Sequence, residues 1–432
     1  MSQEELLKRR DHLCRHPFVG LVVNPSGHIT VCCRASSNWK PIEANHIDEI
    51  DDLTDFYNGA YFQAIRKGFV KGAWKKLKEC SQCAEREDRD GGVSGRTESF
   101  QSQSLFHGTA FDDDFQAWER GERIPVRFLE FTMSNLCTQQ CSTCSSFYST
   151  RWKALDEKFG RDVHDTAKLS KTAVEKLDEL LPDLELLLIK GGEPFADPNN
   201  LKLLQRLHEV NPKCWIHCVS NMQKIREDWW PTIKAISDSD PEFRQISISV
   251  SIDGIGDVYN WIRGGNFEST MQTIRRYHKE TGRQVVINTC VSIYNFFNCA
   301  EIFEYFAHDP AVHLVLFNNI TMGPEWITIA NLPQKVINKV AAEQVARIEA
   351  VDSPTANVDY TGLAGFCTPD GYDHVDHMWK FMDQMNEVRG YRIEDLVPGL
   401  KNYRKKTVGL GPEVSKKDKA ASCGVSAVAT AS

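Results

Sequence analysis

The sequence lacks several features that define whole classes of protein. No apolar run approaches the roughly 18 residues needed to cross a bilayer, and the polar start MSQEELLKRRDH has no apolar core of a secretory signal. Positive charge is not in excess, because 51 Lys and Arg residues against 59 Asp and Glu give a net charge of −8. We therefore expect a cytoplasmic protein that has no membrane contact and no nucleic acid partner.

Cysteine, by contrast, is abundant, with 14 residues among 432. A reducing compartment keeps thiols free, so clustered cysteines there indicate metal binding more often than disulfides. The clustered thiols fall into three groups, which are Cys14 with Cys32 and Cys33, Cys80 with Cys83, and Cys137 with Cys141 and Cys144. The other six are scattered, and we interpret them as buried or incidental thiols.

The third group has the spacing CxxxCxxC, within FTMSNLCTQQCSTC. Three thiolates can hold three irons of a [4Fe–4S] cluster and leave the fourth iron open to a ligand. A zinc knuckle is the alternative, but structural zinc takes four closed ligands, and the ten residues after Cys144 contain no Cys, His or Asp. The spacing therefore favours an open iron–sulfur cluster.

These residues resemble the cluster motif of the radical SAM superfamily, and a second stretch strengthens the likeness. LELLLIKGGEP (184–194) is an apolar strand that ends in Gly191, Gly192, Glu193 and Pro194. In that family a GGEP motif binds the methionine amino group of S-adenosylmethionine. The residue chemistry agrees, because glycine lets a backbone approach a ligand closely and a carboxylate is a suitable partner for an ammonium.

Weaker matches extend the predicted cofactor site. Asn221 lies in CVSNMQ (218–223), and Ser251 and Arg263 lie in SISVSIDGIGDVYNWIRGG (247–265), at positions that the resemblance places near the cofactor. The alternatives are a strand-end hydrogen bond for Ser251 and a surface ion pair for Arg263. The sequence assigns no catalytic residue.

Strands and helices alternate over residues 125–320, which predicts parallel strands joined by helical crossovers. Six such units are too few for a closed eight-stranded barrel, and they agree with the partial (β/α)6 TIM-like barrel of the family. The chemistry in such barrels lies at the carboxyl ends of the strands, where both motifs fall. The predicted fold class is α/β, with a small N-terminal α+β iron–sulfur domain.

The N-terminal cysteines follow a pattern of their own. HPFVGLVVNPSGHITVCC (16–33) predicts a β-hairpin around Asn24-Pro25-Ser26-Gly27. Cys14, twelve residues, Gly27, four residues and Cys32 resemble the opening of the SPASM and twitch domains that bind auxiliary clusters. With Cys80 and Cys83 the set would hold one auxiliary [4Fe–4S] cluster, and a zinc site with four cysteine ligands is the alternative. Only the spacing distinguishes Cys32 from Cys33.

The resemblance implies a radical SAM enzyme. It would reductively cleave S-adenosylmethionine to a 5′-deoxyadenosyl radical, and this radical would abstract a hydrogen atom from a peptide or protein side chain. The outcome would be oxidation, cross-linking or epimerisation of that side chain. A flavodoxin- or ferredoxin-type protein would supply the electron. The alternatives are a small-molecule or nucleoside substrate, installation of a glycyl radical, and a non-catalytic iron–sulfur or zinc protein. The expected divisions are 1–105 (auxiliary cluster domain), 106–124 (linker), 125–345 (barrel), 346–400 (helical extension) and 401–432 (basic, disordered tail).

Overall fold

The computed structural model describes residues 12–38, 42–90, 94–100, 110–239, 246–366 and 373–407. These residues form two compact units. The first unit consists of the described residues within 1–138, 145–220 and 225–248, and the second of those within 139–144, 221–224 and 249–432. No helix in the described part of the chain is both long enough and apolar enough to span a membrane.

The first unit is built on a mostly parallel sheet. Its strands are β1 (Gly20–Val23), β2 (Ile29–Thr30), β3 (Phe128–Phe131), β4 (Leu186–Ile189) and β5 (Trp215–Ser220). The predicted N-terminal hairpin is present, because β1 and β2 pair antiparallel. Strand β1 also pairs in parallel with β3, β3 with β4, and β4 with β5. The hairpin thus extends the sheet that carries both sequence motifs.

Helices of the first unit connect these strands. They are α1 (His16–Val19), α2 (Leu53–Asn58), α3 (Ala60–Val70), α4 (Ser81–Asp90), α5 (Gly95–Glu98), α6 (Phe111–Glu119), α7 (Lys153–Phe159), α8 (Lys171–Leu180), α9 (Pro198–Val210) and α10 (Trp230–Asp238). Side-chain caps set several starts: Ser170 accepts from the Ala173 amide before α8, and Asp197 accepts from the Asn199 amide before α9. The linker predicted over 106–124 contains helix α6.

The second unit contains the later strands. Strand β6 (Ile246–Ser251) begins in the first unit and ends in the second, where it is followed by β7 (Val285–Val291), β8 (Val312–Ile320) and β9 (Asn357–Asp359). The end of β6 pairs in parallel with β7, β7 with β8, and β8 with β9. The α/β class is therefore confirmed, whereas the partial barrel and the boundaries between domains remain predictions.

Helices of the second unit are α11 (Asp257–Arg263), α12 (Phe267–Thr281), α13 (Ala300–Phe306), α14 (Gln334–Glu349), α15 (Thr361–Ala364), α16 (Val375–Arg389), α17 (Ile393–Leu396) and α18 (Pro398–Thr407). The disordered tail predicted from Lys401 is thus wrong for residues 401–407, which are helical. Residues 408–432 lie outside the described part of the chain.

The two faces of the first unit's sheet differ in polarity. Leu129, Leu187 and Ile216 occupy one face and are at most 1 % exposed. The other face carries Glu130 and His217, because the register aligns Glu130 with Leu188 and Leu188 with His217. Buried polar side chains indicate a functional site more often than buried apolar ones, so the face that carries Glu130 and His217 is the candidate for a functional site.

Candidate functional site

The GGEP turn is hydrogen-bonded to the residue that precedes the first motif cysteine. Both lie in the first unit, at the carboxyl ends of the neighbouring strands β4 and β3. The Glu193 amide donates to the Leu136 carbonyl at 2.7 Å, and Leu136 immediately precedes Cys137. The fold therefore joins the GGEP turn to the start of the cysteine motif by a direct backbone contact.

Glycine is required at both positions of this turn. Gly191 and Gly192 have φ values of +79° and +54°, which favour glycine. A Cβ atom on Gly192 would lie 2.4 Å from the Leu136 carbonyl oxygen, and one on Gly191 would lie 2.5 Å from Thr132 Oγ1. Any side chain at either position would push the turn away from the cysteine loop.

Glu193 is a buried carboxylate with a fixed orientation. Its side chain is 2 % exposed, and its Oε1 atom accepts from the Ser220 hydroxyl at 2.7 Å and from the Phe195 amide at 3.2 Å. Ser220 is the last residue of β5, so two strand ends define the position of this carboxylate. Pro194 begins the short 3₁₀ turn Pro194–Ala196, and its carbonyl accepts from Asn200 Nδ2 at 3.0 Å.

The rest of the cysteine motif, residues 139–144, belongs to the second unit. The Ser142 amide donates to the Ile262 carbonyl at 2.7 Å, and the Cys144 amide donates to the Cys141 carbonyl at 3.0 Å. Gln139 is fully buried and donates to Tyr259 Oη at 2.8 Å and to Gln223 Oε1 at 3.0 Å. The loop is thus anchored to α11 by the Ser142 amide and by the Gln139 side chain.

Arg263 lies in this network as a buried cation. Its Nη1 donates to Asp253 Oδ2 at 3.0 Å and its Nε to Gln139 Oε1 at 3.3 Å. Its side chain is 11 % exposed and that of Asp253 is fully buried. The Arg263 ion pair is therefore internal and not a surface pair. Burial raises the pKa of the Cys141 thiol, and the Arg263 guanidinium acts in the opposite direction.

Asn221 and Ser251 are the other residues of the second unit that were predicted to bind the cofactor. Asn221 is 4 % exposed, and its Oδ1 accepts from the Gln223 amide at 2.9 Å. The intervening Met222 has φ +51°, which is rare for a residue other than glycine and is often found at functional sites. Ser251 is the last residue of β6, in register with Asn288 of β7.

In the first unit one cavity brings the N-terminal cysteines together. Its lining includes the five thiols at Cys14, Cys32, Cys33, Cys80 and Cys83, together with Arg34 and Arg96. Every cysteine in the described residues is a free thiol. Residues that are as far apart in sequence as 14 and 83 thus line one cavity.

The surroundings of Cys32 and Cys33 differ. Burial raises the pKa of the Cys32 thiol well above its usual value, and the neighbouring thiols that add to this rise are Cys33, Cys14, Cys83 and Cys80. Burial also raises the pKa of Cys33, but the charges nearest to that thiol are Glu130, Lys190 and Arg34. Cys32 is therefore the one that lies among the other N-terminal thiols.

The donor set of this cavity agrees with a soft metal centre. Burial raises the pKa of Cys14 to about 12 and that of Cys80 further, so both thiols would stay protonated without a cation to replace the proton. Among the described residues, however, no three or more His, Cys, Asp or Glu side chains converge closely enough for one metal ion. A single ion needs its ligands around one point, whereas a cluster spreads its thiolates over several irons.

The sequence did not single out several residues of this site. Ser220 and Gln139 lie beside predicted residues, and their position in or next to the motifs is the signal that could have identified them. Asp253, which the sequence did not single out either, is the buried partner of Arg263. Arg389 donates to the Gln140 carbonyl from 249 positions away, and no sequence pattern indicates such a contact.

A comparison with protein-family models identifies the region that contains both motifs. Residues 131–299 match the radical SAM superfamily. This stretch is therefore similar to the radical SAM superfamily, a family that uses a [4Fe–4S] cluster and S-adenosylmethionine. The match covers the CxxxCxxC and GGEP motifs and ends before the C-terminal helices α14–α18.

Solved structures show weaker likenesses. SuiB of Streptococcus suis is 12 % identical over 80 % of this chain and 72 % of its own, with a TM-score of 0.41. The structure titled "Native anSMEcpe with bound AdoMet" is 18 % identical over 51 % of this chain, with a TM-score of 0.38, and the match spans only 60 % of its length. A radical SAM methyltransferase from Sphaerobacter thermophilus is 18 % identical over 54 % of this chain and 66 % of its own, with a TM-score of 0.35.

Likenesses at these identities and TM-scores carry no argument about the reaction or the substrate. A search of curated proteins finds no match.

Proposed function

We propose that this chain is a radical SAM enzyme in which Cys137, Cys141 and Cys144 hold a [4Fe–4S] cluster with one open iron. The observation that supports this most strongly is the 2.7 Å hydrogen bond from the Glu193 amide to the Leu136 carbonyl. That bond puts the predicted ligand of the methionine amino group beside the start of the cysteine motif. Two motifs that are far apart in sequence thus have a shared backbone contact.

The chain's own residues bind and orient in this scheme. When bound, the reduced cluster and S-adenosylmethionine supply a 5′-deoxyadenosyl radical that abstracts a hydrogen atom from the substrate. The Glu193 carboxylate would accept hydrogen bonds from the ammonium group of the methionine moiety, and the Ser220 hydroxyl holds that carboxylate in place. Gly191 and Gly192 leave the space that a close backbone approach needs. Asn221, Ser251 and Arg263 complete the proposed cofactor-binding set.

We further propose an auxiliary [4Fe–4S] cluster on Cys14, Cys32, Cys80 and Cys83. These four thiols line one cavity, and Cys32 has the other three as electrostatic neighbours. Arg34 and Arg96 line the same cavity and would offset the negative charge of four thiolates. Zinc bound by four cysteines is the alternative; because no three donors among the described residues converge on one point, zinc would have to draw these thiols together.

The proposed substrate is a peptide or protein side chain, modified by oxidation, cross-linking or epimerisation. This proposal rests on the resemblance of the N-terminal cysteine pattern to SPASM and twitch domains. The proposed electron donor is a flavodoxin- or ferredoxin-type protein, and the proposed location is the cytoplasm. Deuterium transfer from a labelled candidate peptide into 5′-deoxyadenosine would support this substrate class, and transfer only from a labelled small molecule would contradict it.

The test of the activity is product formation under anaerobic conditions. The reconstituted protein, given dithionite and S-adenosylmethionine, should form 5′-deoxyadenosine, measured by mass spectrometry. Cys141→Ala should form none, whereas Cys214→Ala, which removes a buried thiol immediately before β5, should keep the activity of the parent protein. Absence of 5′-deoxyadenosine from a protein that carries a full cluster would refute the proposal.

The metal content distinguishes the two forms of the auxiliary site. Two cubane clusters correspond to about eight irons per chain, whereas one cluster with one zinc corresponds to about four irons and one zinc. Replacing Cys83 by alanine should remove about four irons in the first case and the zinc in the second.

A further inference from the structure

Helix α16 ends in an arginine that contacts the cysteine motif. Arg389 is the last residue of the helix, and its Nε donates to the Trp261 carbonyl at 2.7 Å. Its Nη1 donates to Gln140 Oε1 at 3.2 Å, and its Nη2 donates to the Gln140 carbonyl. One planar guanidinium therefore joins the loop between two motif cysteines to α11.

The backbone of α11 is shaped to admit this guanidinium. Gly264 ends the helix with φ +59°. A Cβ atom at this position would lie 2.7 Å from both Arg389 Nη2 and the Gln140 carbonyl oxygen. Only glycine leaves room here for the carbonyl and the arginine to meet.

The helix end that carries Arg389 is itself held by buried hydrogen bonds. Asn386 is 6 % exposed, and its Oδ1 accepts from Trp261 Nε1 at 3.1 Å. Its Nδ2 donates to Glu394 Oε2 at 2.9 Å, and Glu394 forms an ion pair with Arg404 of α18. The arginine is thus placed by a network that continues into the last described helix.

Charge adds to this geometry. The Arg389 guanidinium is hydrogen-bonded to Gln140, the residue immediately before Cys141, so a cation lies next to the cysteine loop. An arginine keeps its charge at every accessible pH, so it is a permanent cation in this position. Reduction of an iron–sulfur cluster adds one negative charge, which a neighbouring cation stabilises.

We propose that Arg389 is a positioning residue of the iron–sulfur centre, which fixes the loop carrying Cys141 and Cys144 and favours the reduced cluster by its charge. This inference rests on the proposed function and extends it to the C-terminal helices, beyond the part that matches the family. Helix α16, which is far in sequence from both motifs, would thus contribute to reduction of the cluster.

The test compares Arg389→Gln and Arg389→Lys in the full reconstituted protein. The readout is potentiometric titration of the electron paramagnetic resonance signal that responds to S-adenosylmethionine. At a fixed potential, Arg389→Gln should lower the ratio of reduced to oxidised cluster about tenfold, which is about 59 mV for one electron. Arg389→Lys keeps the charge, so it should restore at least half of that shift.

The loop itself is tested by the rate at which a chelator removes iron. Both variants lose the forked contact with Gln140, so both should release iron at least fivefold faster than the parent. Arg347→Gln is the matched control, because this arginine forms an ion pair with Glu304 at the surface, where the side chains are 40 and 37 % exposed. It should change neither readout.

An unchanged potential in Arg389→Gln would overturn the charge role, and an unchanged rate of iron release would overturn the fixing of the loop. Equal shifts in Arg389→Gln and Arg389→Lys would also contradict a role for charge. A parent protein that shows no signal responsive to S-adenosylmethionine would refute the proposed function and this inference together. A responsive parent whose variants match it in both readouts would refute the inference alone.

Discussion

Replacing Asp253 by asparagine should destabilise strand β7 and the residues that follow it, up to Asn295. The carboxylate is fully buried, and it faces Arg263 Nη1 at 3.0 Å, in a side chain that is 11 % exposed. Asparagine can still accept from the Cys290 amide, which donates to Asp253 Oδ1 at 2.8 Å. The NH₂ group of asparagine would however face the Arg263 guanidinium, and neither group can accept a hydrogen bond from the other. Arg263 would then stay charged and buried without the carboxylate that neutralises it.

The size of the effect follows from the geometry. Two unit charges 3.0 Å apart attract each other by about 5 kcal/mol at an effective dielectric constant of about 20. Removing one member of a buried pair typically costs about 3–5 kcal/mol, because the other charge stays buried. The hydrogen bond to Cys290 is retained, so we expect a loss of about 3 kcal/mol.

Hydrogen exchange measured by mass spectrometry is the suitable assay, because a protein with two compact units need not unfold in one step. Amides of residues 285–295 should exchange about a hundredfold faster in Asp253→Asn than in the parent. Arg347→Gln, which breaks an exposed pair, should change exchange by less than about fivefold. If Asp253→Asn also stays below fivefold, the buried pair does not stabilise this region as argued.

Four further variants, in three experiments, test other parts of the account. Gly192→Ala should abolish formation of 5′-deoxyadenosine and weaken iron retention, because its Cβ would lie 2.4 Å from the Leu136 carbonyl oxygen; an active variant would contradict the tight turn. Cys32→Ala should remove about four irons while Cys33→Ala keeps them, and the reverse result in metal analysis would exchange their roles. Burial lowers the pKa of His217 from 6.5 to about 4, so the unfolded chain binds a proton that the folded chain does not, and stability is lost as the pH falls from 6.5 to 4. His217→Asn should remove about 3 kcal/mol of that loss in unfolding experiments, and an unchanged acid dependence would contradict the assignment.

The local elements of the fold could be predicted from the sequence because their signals are local. The apolar run before GGEP is strand β4, and the turn residues between Val23 and Ile29 separate the two strands of the hairpin. Val174, Leu177 and Leu180 recur at helical spacing within α8 (Lys171–Leu180), but this spacing does not identify Ser170 as the residue that caps the helix. Periodicity locates an element more reliably than it locates the element's first residue.

The site was predictable where chemistry and spacing coincide. Three cysteines within eight residues and the GGEP turn need no partner from elsewhere in the chain to be recognised. Contacts between separate segments carry no such signal. Arg389 and Gln140 are 249 positions apart, and Asp253 pairs with Arg263 at the far end of α11. The choice between Cys32 and Cys33 also required the fold, because it depends on the neighbours of each thiol and not on their positions in sequence.

The central claim is that three thiolates leave one iron open to S-adenosylmethionine. Its most direct test is the electron paramagnetic resonance spectrum of the dithionite-reduced, anaerobically reconstituted protein, recorded with and without S-adenosylmethionine. The account predicts a [4Fe–4S]⁺ signal whose g values shift when the cofactor is added, and the loss of that shift in Cys141→Ala. A reduced cluster whose spectrum is the same with and without S-adenosylmethionine would contradict the account.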